Sequence, residues 1–431
     1  KTIDKNIGFE ADMSIVDKRY SFISSITEDV IKKPSEKQVT TTEKIDKIVT
    51  NKYLGIPIFA LIMYCLYELT FFIGAGIQEW FGDLIAKAGV IVSEWFSNMG
   101  APELLVGFID KGLFGGVGAV LSFLPLIMVM YFLLGLLEDS GYMARAAYVM
   151  DRLMRGLGLH GKTFVSMIVS VGCNVPGIMS TRTLENKKDR MIAILINPFI
   201  SCGARMPIYA VFVEAFFPTH QGLVLFSLYV LGIIVALISG KIFSKTLFKG
   251  ESSYFVMELP AYRMPSIKNV FLLMWEKAGA FFKKAGMIIF PMMIVLWALS
   301  VLPLGVEPNS EHSILGMIGS FVAPLFVLAG YGTWQAGVSL ITGILAKESV
   351  VATMGMVYAG VEEGEALINV IQQVFTPLSA ISFLVMTLLY TPCLAALGAI
   401  KRETNSMKWT IFSAVYTFVI ALVLSTLVYQ V

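Results

Sequence analysis

The apolar residues of this 431-residue chain are grouped in blocks, and most blocks have about the twenty residues that a helix needs to cross a bilayer. The blocks predict an all-α membrane protein, a polytopic helical bundle. Several blocks are short or interrupted by glycine, proline and polar residues, so we expect fewer crossings than blocks. The candidate spans are 54–73, 117–137, 162–180, 191–216, 223–243, 285–302, 314–328, 335–358, 379–399 and 409–427.

Polar stretches divide the chain into five segments. Residues 1–50 are charged and predict the cytosolic tail of a soluble regulatory region with a linker. Residues 51–112 predict the first transmembrane helix and then an interfacial helix, because apolar residues recur at helical spacing opposite a charged face. Two membrane halves are predicted at 113–248 and 285–431, joined by a cytoplasmic connector at 249–284.

Basic residues orient the blocks. Lysine and arginine cluster before the first block, after the second and third, and before the sixth, which predicts that these segments face the cytoplasm. Lys162 and Arg182 therefore both belong on the cytoplasmic side, although the segment between them is apolar. A single crossing cannot satisfy both ends, so we predict a re-entrant hairpin, which is tolerated where protein or a cavity covers it.

The two halves share helix-breaking residues inside their apolar blocks. Gly172–Pro176 and Ser201–Ala204 interrupt the first half, and Leu345–Ser349 and Pro392–Ala395 interrupt the second. Paired interrupted helices in corresponding halves of a transporter indicate a binding site near the middle of the membrane. We therefore interpret the halves as a pseudo-repeat around a central polar path.

The cysteines divide into two groups by their position relative to the breaks. None has CxxC spacing, so free thiols are expected rather than a disulfide framework. Cys173, Cys202 and Cys393 each adjoin a break, whereas Cys65 lies in an unbroken block and is interpreted as a small hydrophobe. Carbonyl groups left unpaired at breaks need a cation or water. Thiolates combined with carbonyl and carboxylate oxygens suit Fe²⁺ or Zn²⁺ better than Mg²⁺ or Ca²⁺.

Carboxylates inside apolar blocks are energetically expensive and are therefore functional candidates. Glu138 ends the second block and Glu348 interrupts the eighth. Lys347, next to Glu348, leaves open a structural ion pair as the alternative. The predicted metal-binding residues are Cys173, Cys202, Cys393, Glu138, Glu348, Asn174 and Ser201.

Other chemistries fit the sequence less well. Residues 156–163 match GxxxxGK[ST], but an Arg-rich stretch precedes them where a phosphate-binding loop needs a buried strand, so we interpret the match as coincidence. The 23 methionines raise Cu(I) as a substrate, yet they are scattered as ordinary packing residues are. The three histidines form no HExxH motif, which argues against a zinc protease. A net charge of +2 gives no indication of nucleic-acid binding.

Two sequence stretches carry a family resemblance. Residues 172–184 (GCNVPGIMSTRTL) and 201–209 (SCGARMPIY) closely resemble the first gate motif of the bacterial FeoB ferrous iron transporters. The resemblance extends from residue 40 to the C-terminus. Further similar stretches are Leu136–Arg145, Leu159–Lys162, Leu345–Glu348 and Thr391–Cys393.

The resemblance implies a function and a setting. It implies uptake of Fe²⁺ across the bacterial cytoplasmic (inner) membrane through a multi-pass protein with two gate-type halves. The family has an N-terminal GTP-binding domain whose motifs this sequence lacks, so GTP and Mg²⁺ are expected to act only through that domain. The chain itself is then no enzyme.

The partners implied are membrane lipids, the G domain, small cytosolic FeoA- and FeoC-type accessory proteins, and other copies of the chain in a homo-oligomer. Two alternatives stay open. One is a transporter of nucleosides or other organic solutes, because the gate segments also resemble nucleoside-type membrane proteins. The other is a nucleotide-binding membrane enzyme or receptor that uses the GxxxxGKT stretch.

Overall fold

The computed structural model describes residues 11–30, 41–51, 53–115, 118, 121, 124–156, 161–248, 261–303, 310–359 and 365–431. Every regular element in these ranges is helical, which confirms the predicted all-α class. The chain divides into two compact units, residues 1–47 and 48–431. Helix α1 (Ala11–Val30) lies in the first unit, within the predicted cytosolic tail, and α2 (Thr41–Val49) spans the boundary.

The second unit contains helices of very different lengths, and the short helices Asn174–Ser180 and Ser349–Met354 lie at predicted breaks. Its α-helices are α3 (Gly55–Asn98), α4 (Glu103–Gly107), α5 (Leu124–Asp139), α6 (Tyr142–Gly156), α7 (Gly161–Gly172), α8 (Asn174–Ser180), α9 (Lys187–Ile196), α10 (Met206–Phe216), α11 (Gln221–Thr246), α12 (Ile267–Val301), α13 (Ile314–Val322), α14 (Trp334–Leu345), α15 (Ser349–Met354), α16 (Glu365–Val374), α17 (Pro377–Leu389), α18 (Leu394–Thr404) and α19 (Met407–Gln430). Short 3₁₀ segments occur at Thr181–Thr183, Asn197–Phe199, Gly203–Arg205 and Ala323–Ala329, and π-helical turns at Phe108–Gly115 and Gly355–Ala359.

Length and hydropathy identify the elements that can span a membrane. Five stretches of the described chain are long and apolar enough, and two bent pairs raise the number to as many as seven. The bent pairs are α5 with α6, which meet at 78°, and α13 with α14, which meet at 103°. These values support the predicted polytopic bundle with fewer crossings than apolar blocks.

Two long helices replace elements that the sequence predicted to be separate. The predicted interfacial helix is the C-terminal half of α3, which runs unbroken for 44 residues. At 1.5 Å per residue, α3 is about 66 Å long, roughly twice the thickness of a bilayer core. The predicted connector at 249–284 is likewise shorter, because α12 begins at Ile267; residues 249–260 lie outside the described ranges.

Packing at a glycine of α3 explains why the helix is not interrupted there. Glycine inside a helix costs only about 1 kcal/mol relative to alanine. A side chain at Gly74 would collide with Leu126 of α5, so this glycine lets the two helices approach closely. Packing between α3 and α5 therefore offsets the weak helix propensity at this position.

The segment between Lys162 and Arg182 reverses direction, as predicted. Helices α7 and α8 are separated only by Cys173, and a Cβ at Gly177 would lie 2.8 Å from the Cα of Ser170. Residues seven apart in a continuous helix would be about 10 Å apart, so the two helices fold back on each other. The ends of the segment also meet, because Lys162 Nζ lies 3.9 Å from Glu185 Oε1.

Two kinds of contact hold the C-terminal helices in place: one joins them to the first half, and one joins them to each other. Ile178, Ile194 and Ile400 form one buried cluster that joins α8, α9 and α18. Between α17 and α19, the hydroxyl of Ser382 donates to the carbonyl of Ser425 at 2.8 Å. Lipid provides no hydrophobic drive for helix association, so close packing and such hydrogen bonds, each worth roughly 0.6 kcal/mol, stabilise the bundle. The result places the breaks of both halves next to each other.

Candidate metal path at the helix breaks

The three thiols predicted to bind metal occupy equivalent positions at the breaks. Cys173 precedes α8, Cys202 precedes the 3₁₀ segment Gly203–Arg205, and Cys393 precedes α18. Each cysteine has extended backbone angles, and in each case the helix starts at the next residue. The Pro, Gly and Asn neighbours that marked the breaks in the sequence therefore mark real interruptions of the helical hydrogen-bond ladder.

The structure brings these three thiols together with one of the two predicted carboxylates. Cys173 and Cys393 pack against the same buried cluster. A Cβ at Gly203, the residue after Cys202, would lie 3.5 Å from the carbonyl oxygen of Gly172, the residue before Cys173. Lys347, the residue before Glu348, donates to the carbonyl of Thr391, two residues before Cys393, at 2.8 Å. Cys202 is buried, whereas Cys173, Cys393 and Glu348 are partly exposed among fully buried neighbours. Four residues that are far apart in sequence thus share one region at the interface of the two halves.

The cluster is not a closed coordination shell. Among the described residues, no group of three His, Cys, Asp or Glu side chains lies close enough to hold one metal ion. A path must let an ion leave as well as enter, which weak successive sites allow and a tight shell would prevent. The geometry therefore fits stepwise contact with the thiols better than simultaneous ligation.

Asn174 and Ser201 already have partners within the protein. The Asn174 amide, oriented with its NH₂ towards carbonyls, donates to Ser170 O at 3.0 Å and to Ile200 O at 3.2 Å. It therefore ties the first break to the second. The Ser201 hydroxyl lies 3.0 Å from the hydroxyl of Tyr209. Both side chains position the breaks, and their contacts give no indication of an open ligand site.

Glu138 lies apart from the thiols. Its side chain is 63% exposed at the end of α5, and Oε2 lies 3.6 Å from Nζ of Lys277 on α12. Such exposed pairs contribute little to stability. The sequence could not separate Glu138 from Glu348, because both end or interrupt an apolar block, and only the tertiary structure distinguishes an exposed helix end from an internal break.

Cys65 is also exposed, in the unbroken helix α3, and stands apart from the breaks as predicted.

Two buried cations complete the region: Arg205, which the sequence analysis did not consider, and Lys347, which it considered only as a partner of Glu348. Arg205 is fully buried and donates to Ile200 O at 3.1 Å and to Pro198 O at 3.2 Å. Lys347 is only 2% exposed, and its Nζ donates to Thr391 O at 2.8 Å. The break carbonyls expected to face an ion are therefore partly taken by side chains of the protein.

Lys347 and Glu348 do not form the ion pair that the sequence left open. No contact within 4.0 Å joins these two described side chains, and the Lys347 ammonium lies over the Tyr390 ring instead, 3.1 Å from its centroid. Basic residues inside apolar blocks are as expensive as acidic ones, so the same rule marks Lys347 and Arg205 as functional candidates. Their position beside the motifs SCGAR and LAKE was the available signal.

The described residues around the GxxxxGKT stretch do not support a phosphate-binding loop. The element before it is the helix α6, and residues 157–160 lie outside the described ranges. Gly161 N, at the start of α7, donates to Asp151 Oδ1 at 3.0 Å. A carboxylate at this N–H would repel a phosphate, which supports the interpretation of the match as coincidence.

Comparison with known proteins gives consistent family matches. A two-part family model named Gate, described as "Nucleoside recognition", matches residues 120–216 and 282–407, just over half of the chain. A second model, described as "Ferrous iron transport protein B C terminus", matches residues 225–277. No solved structure matches the chain significantly.

Relatives from distant organisms carry the same description. The Fe(2+) transporter FeoB of Staphylococcus aureus MSSA476 is 45% identical over 416 residues, which are 96% of this chain and 62% of the relative. That of Methanocaldococcus jannaschii is 40% identical over 432 residues, 97% of this chain and 63% of the relative. An Fe(2+) transport protein A/Fe(2+) transporter FeoB fusion protein of Porphyromonas gingivalis is 38% identical over 470 residues, 98% of this chain and 55% of the relative.

The chain thus spans about three fifths of the length of the first two relatives. The two family models lie side by side over the region that contains every break described above. The chain therefore belongs to the FeoB family of ferrous iron transporters, of which it is the membrane region.

Proposed function

We propose that this chain conducts Fe²⁺ across the bacterial cytoplasmic membrane into the cytoplasm, along a path through the helix breaks. The observation that carries the proposal is the convergence of Cys173, Cys202, Cys393 and Glu348 on one region from four separate breaks. Thiol and carboxylate donors together suit a borderline-soft divalent ion. The description of the relatives as Fe(2+) transporters supports iron as that ion.

The ion passes the thiols in sequence. Cys173 and Cys393 are partly exposed and Cys202 is more buried, so the ion meets the first two thiols more readily than the third. Glu348 supplies the negative charge that an incoming divalent ion needs when it loses water. Asn174 and Ser201 hold the breaks in place through their hydrogen bonds, and Glu138 lies outside this path.

Control of the path belongs to parts of the full-length protein beyond these residues. The curated relatives are longer than the chain, and the family resemblance supports a G domain that uses GTP and Mg²⁺ to open the path. A relative in which an Fe(2+) transport protein A is fused to the transporter supports a small accessory partner of that type.

Single serine substitutions test the path. Serine keeps the size and polarity of cysteine but removes the soft ligand. Cys173→Ser, Cys202→Ser and Cys393→Ser in the full-length protein should each reduce Fe²⁺ affinity by at least the roughly 10–100-fold seen for outer-shell changes. Uptake into proteoliposomes and equilibrium binding, both without oxygen, measure the effect.

Cys65→Ser is the matched control, because Cys65 is exposed in an unbroken helix. It should transport normally. Normal uptake by all three break variants would refute thiol ligation, and loss in Cys65→Ser alone would show that the path runs along α3.

A further inference from the structure

Lys347 lies in the break between α14 and α15 and is only 2% exposed. Its Nζ donates to the carbonyl of Thr391, 44 residues further along the chain, at 2.8 Å. It also lies 3.1 Å from the centroid of the Tyr390 ring. Both partners are uncharged, so an ammonium group is held by the negative ends of a carbonyl dipole and a ring quadrupole.

The surroundings of this ammonium are those of the proposed ion path. Its hydrogen bond to Thr391 joins the break that contains Glu348 to the break that contains Cys393. Cys393 is only two residues from the carbonyl that accepts the hydrogen bond, and Glu348 is the next residue to Lys347. An ion that reached Cys393 and Glu348 would therefore lie beside the ammonium.

The protein shapes this position for a cation. Gly343 on α14 has no side chain where the hydroxyl end of fully buried Tyr390 lies, and a Cβ there would collide with it. The Thr391 hydroxyl donates to Ala414 O at 3.1 Å, which anchors the carbonyl-bearing residue to α19. Carbonyl oxygens and aromatic faces are also groups that bind mobile cations in channels and receptors.

We propose that Lys347 is a tethered cation that occupies a carbonyl–aromatic site in the ion path and leaves it when a divalent ion arrives. The proposal rests on the ion path proposed above. A doubly charged ion at Cys393 and Glu348 repels the ammonium twice as strongly as a singly charged ion would. Fe²⁺ therefore displaces the side chain and gains the Thr391 carbonyl, whereas Na⁺ and K⁺ do not. The step moves a side chain and changes no protonation state.

A labelling experiment on the wild-type full-length protein tests the displacement directly. An amine-acylating reagent is applied with and without Fe²⁺ under anaerobic conditions, and modification of each lysine is quantified by mass spectrometry. Fe²⁺ should increase modification of Lys347 severalfold and leave the partly exposed Lys162 unchanged. K⁺ at high concentration should have no effect. Unchanged protection of Lys347 at saturating Fe²⁺ would overturn the proposal.

Two variants separate the tethered cation from a structural crosslink between the breaks. Lys347→Met removes the competing charge and should raise Fe²⁺ affinity at least tenfold while admitting K⁺ into proteoliposomes. Lys347→Arg keeps the charge and should keep K⁺ out. Lower Fe²⁺ affinity of Lys347→Met together with a lower melting temperature would identify a crosslink and overturn the proposal. The K⁺ measurement does not require iron, so it tests the role of Lys347 independently of Fe²⁺ transport. Failure of the wild-type protein to take up Fe²⁺ would refute the proposed function and not the role of Lys347.

Discussion

Replacing Arg182 by methionine should loosen the contact between the two membrane halves. Arg182 lies in the 3₁₀ turn after α8, and Glu403 lies near the end of α18. Nε donates to Oε2 at 2.7 Å and Nη2 to Oε1 at 2.6 Å, which is the bidentate geometry of the strongest arginine–carboxylate pairs. The pair therefore joins the first re-entrant hairpin to the last broken helix.

The size of the effect follows from the unequal burial of the two groups. The Arg182 side chain is 50% exposed, whereas that of Glu403 is 5% exposed. Fully exposed pairs contribute about 0–1 kcal/mol, and breaking a fully buried pair costs about 3–5 kcal/mol. The exposed guanidinium screens the interaction, so we expect Arg182→Met to reduce the free energy of unfolding by about 1–2 kcal/mol.

A double-mutant cycle with Glu403→Gln measures this coupling, with unfolding followed in mixed micelles. Arg402→Met, a change at an exposed neighbouring position, is the control and should lie within about 0.5 kcal/mol of wild type. A coupling energy below about 0.3 kcal/mol, the error of additivity, would refute a formed ion pair.

The same cycle has a defined pH dependence. The hydrogen bond to Glu403 raises the pKa of Arg182 above its ordinary value. A raised pKa on a base gives stability that is complete below the unfolded-state pKa and lost only as the pH rises through the folded-state value. The coupling should therefore be constant from about pH 7 to about pH 10, and a decline within this window would contradict the assignment to arginine.

Three further predictions concern the hairpin, the GxxxxGKT stretch and the Tyr390 site. Cysteines placed by Lys162→Cys and Arg182→Cys should react with an impermeant maleimide from the same side of sealed vesicles; labelling from opposite sides would prove a crossing. The purified chain should neither bind nor hydrolyse GTP, and saturable binding abolished by Lys162→Ala would reveal a phosphate site. Gly343→Ala forces a methyl group against Tyr390 and should cost about 1–3 kcal/mol of unfolding free energy. Gly222→Ala in α11, whose new Cβ meets nothing within 4 Å, should not destabilise the protein, and an equal loss of stability in both variants would refute the packing argument.

Local signals in the sequence predicted the features that depend on neighbouring residues. Basic residues at both ends of the segment 162–182 predicted the hairpin, because the charges and the apolar residues between them lie within one segment. Pro176, Gly203 and Pro392 beside three cysteines predicted the breaks, because helix interruption is decided by adjacent residues.

Tertiary partners explain the differences. The continuation of α3 depends on packing of Gly74 against Leu126, about which the helical pattern carries no information. Lys347 finds its carbonyl acceptor 44 residues away, so neither its partner nor its distance from the Glu348 carboxylate follows from their adjacency.

The α7–α8 hairpin also constrains how the protein is assembled in the membrane. Its longer arm has 12 residues, well short of the roughly twenty that hold a helix in a bilayer. The break at Cys173 leaves backbone groups that lipid cannot satisfy. The hairpin therefore stays in the membrane only after α9 and α18 cover it, and α18 is synthesised close to the end of the chain. Synthesis that stops before α18 would leave the hairpin at the membrane surface, where cellular proteases can cut it.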